Sequence, residues 1–162
     1  MPVTPTKIML AKVWAMRLVV LVAAGIGLLV VVQGVLRVPI AGSVPLFLAG
    51  TALHLFAVTA LGILMATLAR SMPQFGMLAV LILPPLQMLS GTFSPRESMP
   101  ELVQIVMLVA PTTQSAALGQ AILIRGAGLA VVWPQFLSLI VIGALLFGFS
   151  LTRFRKTISE MA

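Results

Sequence analysis

Apolar residues run along the chain in four long blocks, roughly Val13 to Leu36, Val44 to Leu68, Pro73 to Leu89 and Leu129 to Leu151. Each reaches or approaches the roughly 20 residues that an α-helix needs to cross a bilayer. The pattern fails between the third and fourth blocks. Ser90 to Pro100, SGTFSPRESMP, is polar and rich in proline. Leu102 to Ala110 then turns apolar for only about nine residues, too few to span. A second amphipathic stretch, Thr112 to Ile124, follows Pro111. This order predicts a re-entrant or interfacial helical hairpin between the last two spans, a feature tolerated in a membrane only where protein or water covers its backbone. The predicted fold is an all-α integral membrane protein with four transmembrane helices. It forms one domain over residues 1–162, with a cytoplasmic lead over 1–12 and an external loop and broken hairpin over 90–128.

Composition agrees with the pattern. Of 162 residues, 60% are hydrophobic and 8% charged, and the mean hydropathy is +1.19, whereas about a quarter of residues are charged in soluble domains. The net charge of +7 raises the question of nucleic acid, which the positions of the basic residues answer. With four spans, Lys7, Lys12, Arg17, Arg70, Arg153, Arg155 and Lys156 share one side and Arg37, Arg96 and Arg125 the other. The excess marks the first side as cytoplasmic. Both termini are therefore expected in the cytoplasm, the partner of the charge is the bilayer, and no nucleic acid is implied. Basic residues before an apolar run give the N-terminus the outline of a signal peptide. That run is too long, and no small-residue cleavage site follows it, so it is read as a retained span. The absence of cysteine excludes a disulfide framework and thiolate metal sites.

Within the spans, Arg17 lies near the inner end of the first, where burying its stem and snorkelling to the headgroups is the simplest expectation. The second span carries Gly50, His54, Thr59, Gly62 and Thr67 and is expected to face other helices. Ser71 is a candidate N-cap and Pro73 suits a first turn. The adjacent Pro84 and Pro85 are expected to bend or break the third span, either as a packed kink or as a moving gate. Trp133 suits headgroup depth. Methionines including Met65, Met72, Met77, Met88, Met99 and Met107 fit ordinary packing, or a surface that accepts varied apolar solutes. Ala23/Gly27, Gly62/Ala66 and Ala144/Gly148 are spaced for close helix approach.

Much chemistry is excluded. There is no GxxxxGK[ST] phosphate loop, so any ATP hydrolysis belongs to another polypeptide. The three acidic residues, Glu97, Glu101 and Glu160, lie outside the spans, which disfavours a proton-coupled carrier. His54 is the one titratable group deep in a span and is expected to hydrogen-bond between helices; alone, it makes a poor metal site. His54 and Gln87 are the candidate pathway residues. No grouping of nucleophile, base and orienting residue supports an enzyme.

From the lead MPVTPTKIMLAKVW, through LARSMPQ and LSGTFSPRESMP, to WPQF and the closing LTRFRKT, the order of features resembles the C-terminal half of permease subunits of bacterial type-2 ABC transporters, in the drug or multidrug export branch. Many relatives have Asn-Pro where this chain has Ala110-Pro111. The resemblance makes the four runs spans three to six. It leaves out a first span, an external domain, a second span and an acidic coupling helix, as a truncated frame or a fragment would. It implies a permease of the bacterial inner membrane that exports a hydrophobic or amphipathic solute, drugs among the candidates. A separate ATPase would hold ATP and Mg, none being bound by this chain. A second permease copy or paralogue, and in some systems a periplasmic adaptor, would complete the assembly. In this reading Thr4, Pro5, Lys7, Lys12, Arg70 and Gln74 form the surface coupled to the ATPase. Pro84, Pro85, Ser90, Pro95, Met99, Pro100, Pro111 and Gln114 form the outer gate. The alternative is a truncated, non-transporting membrane protein that binds and modulates a full-length permease. A homo-oligomeric channel is disfavoured, because no polar ring recurs in the spans.

Overall fold

The computed structural model describes residues 5–37, 39–69, 71–93 and 98–159, with side chains over 14–37, 39–69, 71–93 and 98–153. Thr4, Arg70 and Pro95 lie outside the described residues, as do the side chains of Pro5, Lys7 and Lys12.

All regular structure among the described residues is helical. Helix α1 (Pro5–Ile26) passes directly into a π-helical segment, Gly27–Val35, which closes with the Leu36 N–H bonded to the Val31 carbonyl at 2.9 Å. Nine residues of this wider register are unusual, since π geometry mostly occurs as single turns. Helix α2 (Val44–Leu68) begins where the Ser43 hydroxyl accepts from the Leu46 N–H. Helix α3 (Met72–Met88) begins in the same way, with Ser71 accepting from the Gln74 N–H and Pro73 in the first turn. In both, a side-chain oxygen satisfies an amide that the helix cannot.

Of the bend or break expected at Pro84 and Pro85, the break does not occur, since α3 continues through both to Met88. Each ring removes one bond, to the Val80 and Leu81 carbonyls, but both prolines hold a φ close to the helical value. The Leu89 N–H then reaches the Pro85 carbonyl at 2.9 Å and closes the next turn. The chain leaves α3 at Gly91, whose φ of 89° is open to glycine without steric cost.

The true break comes later. Helix α4 (Glu101–Leu108) and helix α5 (Pro111–Leu123) are bent by 88°. Proline disfavours helical geometry in the residue before it, and Ala110 is accordingly extended at φ −78°, ψ 127°. No side chain caps α5 at that residue, as expected of alanine. Helix α6 (Leu129–Ser159) completes the chain.

Three helical stretches, Trp14–Val35, Val44–Leu68 and Leu129–Arg153, are long and apolar enough to cross a membrane. The remaining expected span, α3, is apolar but has 17 residues. That is about 25 Å of helix, slightly short of a hydrocarbon core of about 30 Å. Large apolar side chains such as Val35, Val80 and Leu145 are exposed, on a scale that a water-facing surface does not carry. The fold is that of an all-helical integral membrane protein with a bent hairpin before its final span.

The core lies between α2, α5 and α6. Leu118 and Ile122 of α5 meet Val132 and Leu139 of α6, with Leu46, Phe47 and Leu53 of α2 against them. Two glycines set the spacing. A Cβ on Gly50 would come within 2.5 Å of the Leu118 side chain, and one on Gly143 within 2.7 Å of the Phe56 ring. The small-residue pairs expected to pack do not. Gly27, Gly62 and Gly148 have nothing within 4 Å of such a Cβ, because they point away from the α2–α5–α6 core. Accordingly, Gly143→Val should destabilise the chain by about 1–3 kcal/mol through overpacking, and Gly148→Val should leave it nearly unchanged. Thermal unfolding in detergent micelles, followed by circular dichroism, checks the pair.

Candidate functional site

Beneath the bent hairpin, α2, the end of α3 and the start of α5 border two adjoining, partly open cavities. The first, about 230 Å³, is of mixed polarity: Thr51 and His54 come from α2, Ser90 and Thr92 from the turn after α3, and Ser115 from α5, with Phe47, Gly50, Ala116 and Leu118 beside them. The second, about 360 Å³, is walled by Val58, Leu61, Leu83, Pro84 and Leu86. His54, Gln87 and Thr112 line both, so polar groups stand where the two spaces meet. Among the described residues, none that lines either cavity is charged.

The helical repeat explains the convergence. Thr51, His54, Val58 and Leu61 follow steps of three, four and three, and Thr112, Ser115 and Ala116 follow the same rule on α5, so each set shares one face. The Pro111 carbonyl faces the His54 ring, while its Nδ1 is buried without a hydrogen-bond partner. Several other polar groups are already engaged. The Thr51 hydroxyl donates to the Phe47 carbonyl at 2.9 Å, and the Ser115 hydroxyl to the Thr112 carbonyl at 2.9 Å. His54 Nδ1 is therefore a buried polar atom beside the cavities with hydrogen-bonding capacity to spare.

Side chains of α5 tie the hairpin to its neighbours. Thr112 Oγ1 donates to the Leu86 carbonyl at 3.2 Å, a group at the end of α3 that the helix leaves without its own amide. Gln120 Nε2 reaches the Gly91 carbonyl at 3.4 Å. Gln114 Nε2 spans the bend to the Leu108 carbonyl at 2.8 Å. Ser90, 2% exposed, donates to the Gln87 carbonyl at 2.7 Å and lies 2.9 Å from the Thr92 hydroxyl.

Of the residues singled out from sequence, His54, Gln87, Ser90 and Pro84 line the cavities, and Pro111 adjoins them through its carbonyl. Pro85, Met99, Pro100 and Gln114 are not in either wall. Met99 instead offers its carbonyl to Gln104 Nε2 at the start of α4, and Gln114 braces the bend. Among the described residues no methionine lines the cavities; Met65 and Met107 are buried in packing, and Met72, Met77 and Met88 are exposed. Thr51, Thr92, Thr112 and Ser115 were missed by the sequence reading. The face that Thr51 shares with His54, and that Ser115 shares with Thr112, is the signal that carries them.

The fold and its cavities define a helical membrane protein built around an internal space, half polar and half apolar. The chain belongs to the ABC-2 type transporter family, whose profile matches residues 1–124. Two curated relatives, the inner membrane transport permeases YhhJ of Escherichia coli strain K12 and of Shigella flexneri, are each 60% identical to it over 162 residues. The alignment covers 100% of this chain and 43% of each relative, so the chain spans less than half the length of those proteins. No solved structure matches it.

Because the chain has no cysteine, access to the cavities is measurable with single introduced thiols. Gln87→Cys and Ser115→Cys should react with a membrane-impermeant maleimide at rates near that of a surface thiol. Leu139→Cys, in the 0% exposed core, should stay unlabelled.

Proposed function

We propose that this chain is the membrane-spanning part of an export permease in the bacterial inner membrane, driven by ATP hydrolysis on a separate ATPase subunit. It moves a hydrophobic or amphipathic solute outward, with drugs among the candidates, together with a second permease copy or paralogue and, in some assemblies, a periplasmic adaptor. Both termini face the cytoplasm, as the distribution of basic residues favours. The observation that carries this reading is the paired cavity. A solute with an apolar body and an uncharged polar group finds a lining for each, with His54, Gln87 and Thr112 at the junction.

The packing supports a route for coupling. Helix α3 has no buried residue among those described, and its main contacts are with α2 and α5, both of them slight beside those within the α2–α5–α6 core. It is a peripheral element that can shift without unpacking that core. Its cytoplasmic end follows Arg70, on the surface with Thr4, Pro5, Lys7, Lys12 and Gln74 assigned to the ATPase contact. Its outer end carries Pro84, Pro85 and the Leu86 carbonyl held by Thr112. Movement at the first end therefore strains the bond at the second. Separation of Leu86 from Thr112 widens the cavities toward the outer face, where Ser90, Met99, Pro100, Pro111 and Gln114 border the exit.

Purification of the C-terminally tagged chain from gently solubilised native membranes tests the assembly, with an ATPase expected to co-purify. In cells, His54→Leu and Gln87→Leu should each lower efflux about fivefold, as for one hydrogen bond of ~1 kcal/mol, with the ATPase still bound. A stable 17.1 kDa product without an ATPase would overturn the reading in favour of a chain that modulates a full-length permease.

A further inference from the structure

On the side of α2 away from the cavities, α1 and α2 form a groove of about 370 Å³ lined by Trp14, Leu18, Leu21, Leu53 and Leu55, with Arg17 among them. The guanidinium does not simply extend away from the bundle. Its Cζ lies 5.8 Å from the centroid of the Phe56 ring, and Nε is buried with no hydrogen-bond partner. A guanidinium brings five N–H donors and no acceptor to such a setting. Among the described residues it meets no acidic partner: the one carboxylate there, Glu101, lies on α4. An aromatic face attracts the charge but accepts no N–H bond of the kind that an anionic oxygen does.

The groove also has a direction. Gly25 lies opposite Leu48 while Arg17 lies opposite Phe56, so α1 and α2 run antiparallel. The path from Trp14 to Leu21 leads from the N-terminal end of the span toward its middle. Trp14, 64% exposed, is a residue favoured at headgroup depth. Arg17 stands one turn further in, and the remaining walls are apolar. Charge near the membrane surface and hydrocarbon toward its centre is the polarity of a lipid from that leaflet, the cytoplasmic one by the basic-residue count. A planar guanidinium also matches two phosphate oxygens.

We propose that the α1–α2 groove is a binding site for an anionic glycerophospholipid of the cytoplasmic leaflet, with its phosphate on Arg17 and an acyl chain along Leu18, Leu21 and Leu53. A headgroup without an ammonium leaves the phosphate charge free to meet the arginine, which is why an anionic lipid is preferred over a zwitterionic one. The site is separate from the uncharged cavities, and the inference does not depend on what passes through them.

The test places the full chain in nanodiscs containing phosphatidylglycerol or phosphatidylcholine that carry the same diazirine-labelled acyl chain, and maps the adducts by mass spectrometry. Phosphatidylglycerol should label residues 14–21 and 52–56. Arg17→Gln should reduce that labelling about fivefold, the effect of one basic residue on an anionic lipid. Arg17→Lys should restore most of it, and Arg153→Gln should leave it unchanged. Equal labelling of the groove by the two lipids in the unmodified chain overturns the proposal, and this comparison needs no variant to fold. So does labelling that Arg17→Gln leaves intact, or capture at Leu18 of a carboxylate-bearing polypeptide with no phosphatidylglycerol adduct.

Discussion

A bilayer interior offers no water to an unpaired backbone group, and the hairpin half of this molecule is arranged around that constraint. The chain turns by 88° between α4 and α5, which leaves carbonyls at the end of α4 and the amides of the first turn of α5 without helical partners. Pro111 removes one of those amides outright. Gln114 then supplies a donor to the Leu108 carbonyl, and the Ala110 carbonyl accepts from the Thr113 and Gln114 amides. The same helix satisfies its neighbours, through Thr112 on Leu86 and Gln120 on Gly91. One polar edge of α5 therefore closes the end of α3 as well as its own bend. The hydroxyls and amides that such a repair requires also make the space beneath it polar.

That repair holds only if α5 is fixed, and close packing fixes it. Leu118 sits over Gly50 of α2, where a single methyl group would collide with it, and Leu118 and Ile122 are buried against Val132 and Leu139 of α6. The loop before α2 adds a main-chain bond, from the Ala41 amide to the Leu123 carbonyl at 3.1 Å. Gly126, at φ 64°, lets the α5–α6 turn pass close to the Ala41 carbonyl. In a lipid environment helices gain nothing from burying one apolar surface against another unless the fit is tight. The tight contacts are concentrated on α2, α5 and α6, and α3 is left outside them. Closely packed and peripheral parts thus follow from where the glycines fall.

Much of this was legible in the sequence, because the governing signals are coarse. Runs near the length of a bilayer, polar islands and prolines at helix starts located the helices, the Ser71 cap and the half-length hairpin. His54, Gln87, Ser90 and Pro84 were identified as residues of interest, and they meet in space. What failed has physical reasons. Of the bend or break expected at Pro84 and Pro85, the break does not occur, because a helix loses only two bonds to them and continues. Small-residue pairs four apart were expected to pack, but spacing within one helix does not say which face meets a neighbour; Gly50 and Gly143 do so, and Gly62 and Gly148 do not. The π-helical register of Gly27–Val35 has no composition of its own to announce it. The threonines and serines that complete the cavity lie on shared helical faces, a pattern that becomes decisive only once the facing helix is known.

The position of Arg17 follows the same logic from the opposite direction. Its place near the start of the first span points to the headgroups, which is where an arginine stem of that length naturally reaches. Helix α2 changes the outcome by presenting Phe56 beside it. Thr51, His54, Val58 and Leu61 occupy one side of α2 and line the cavities, whereas Ala52, Leu53, Leu55 and Phe56 occupy another and line the groove. With Ala57 and Gly50 held against α6 and α5 between those two sides, α2 has almost no face left for bulk lipid over its middle turns. A helix so placed tolerates a histidine on one side, where the Pro111 carbonyl faces it, and a neighbouring arginine on the other, where the Phe56 ring meets one face of the guanidinium. This is why the polar and charged groups of the membrane interior gather around α2 rather than around α1 or α3.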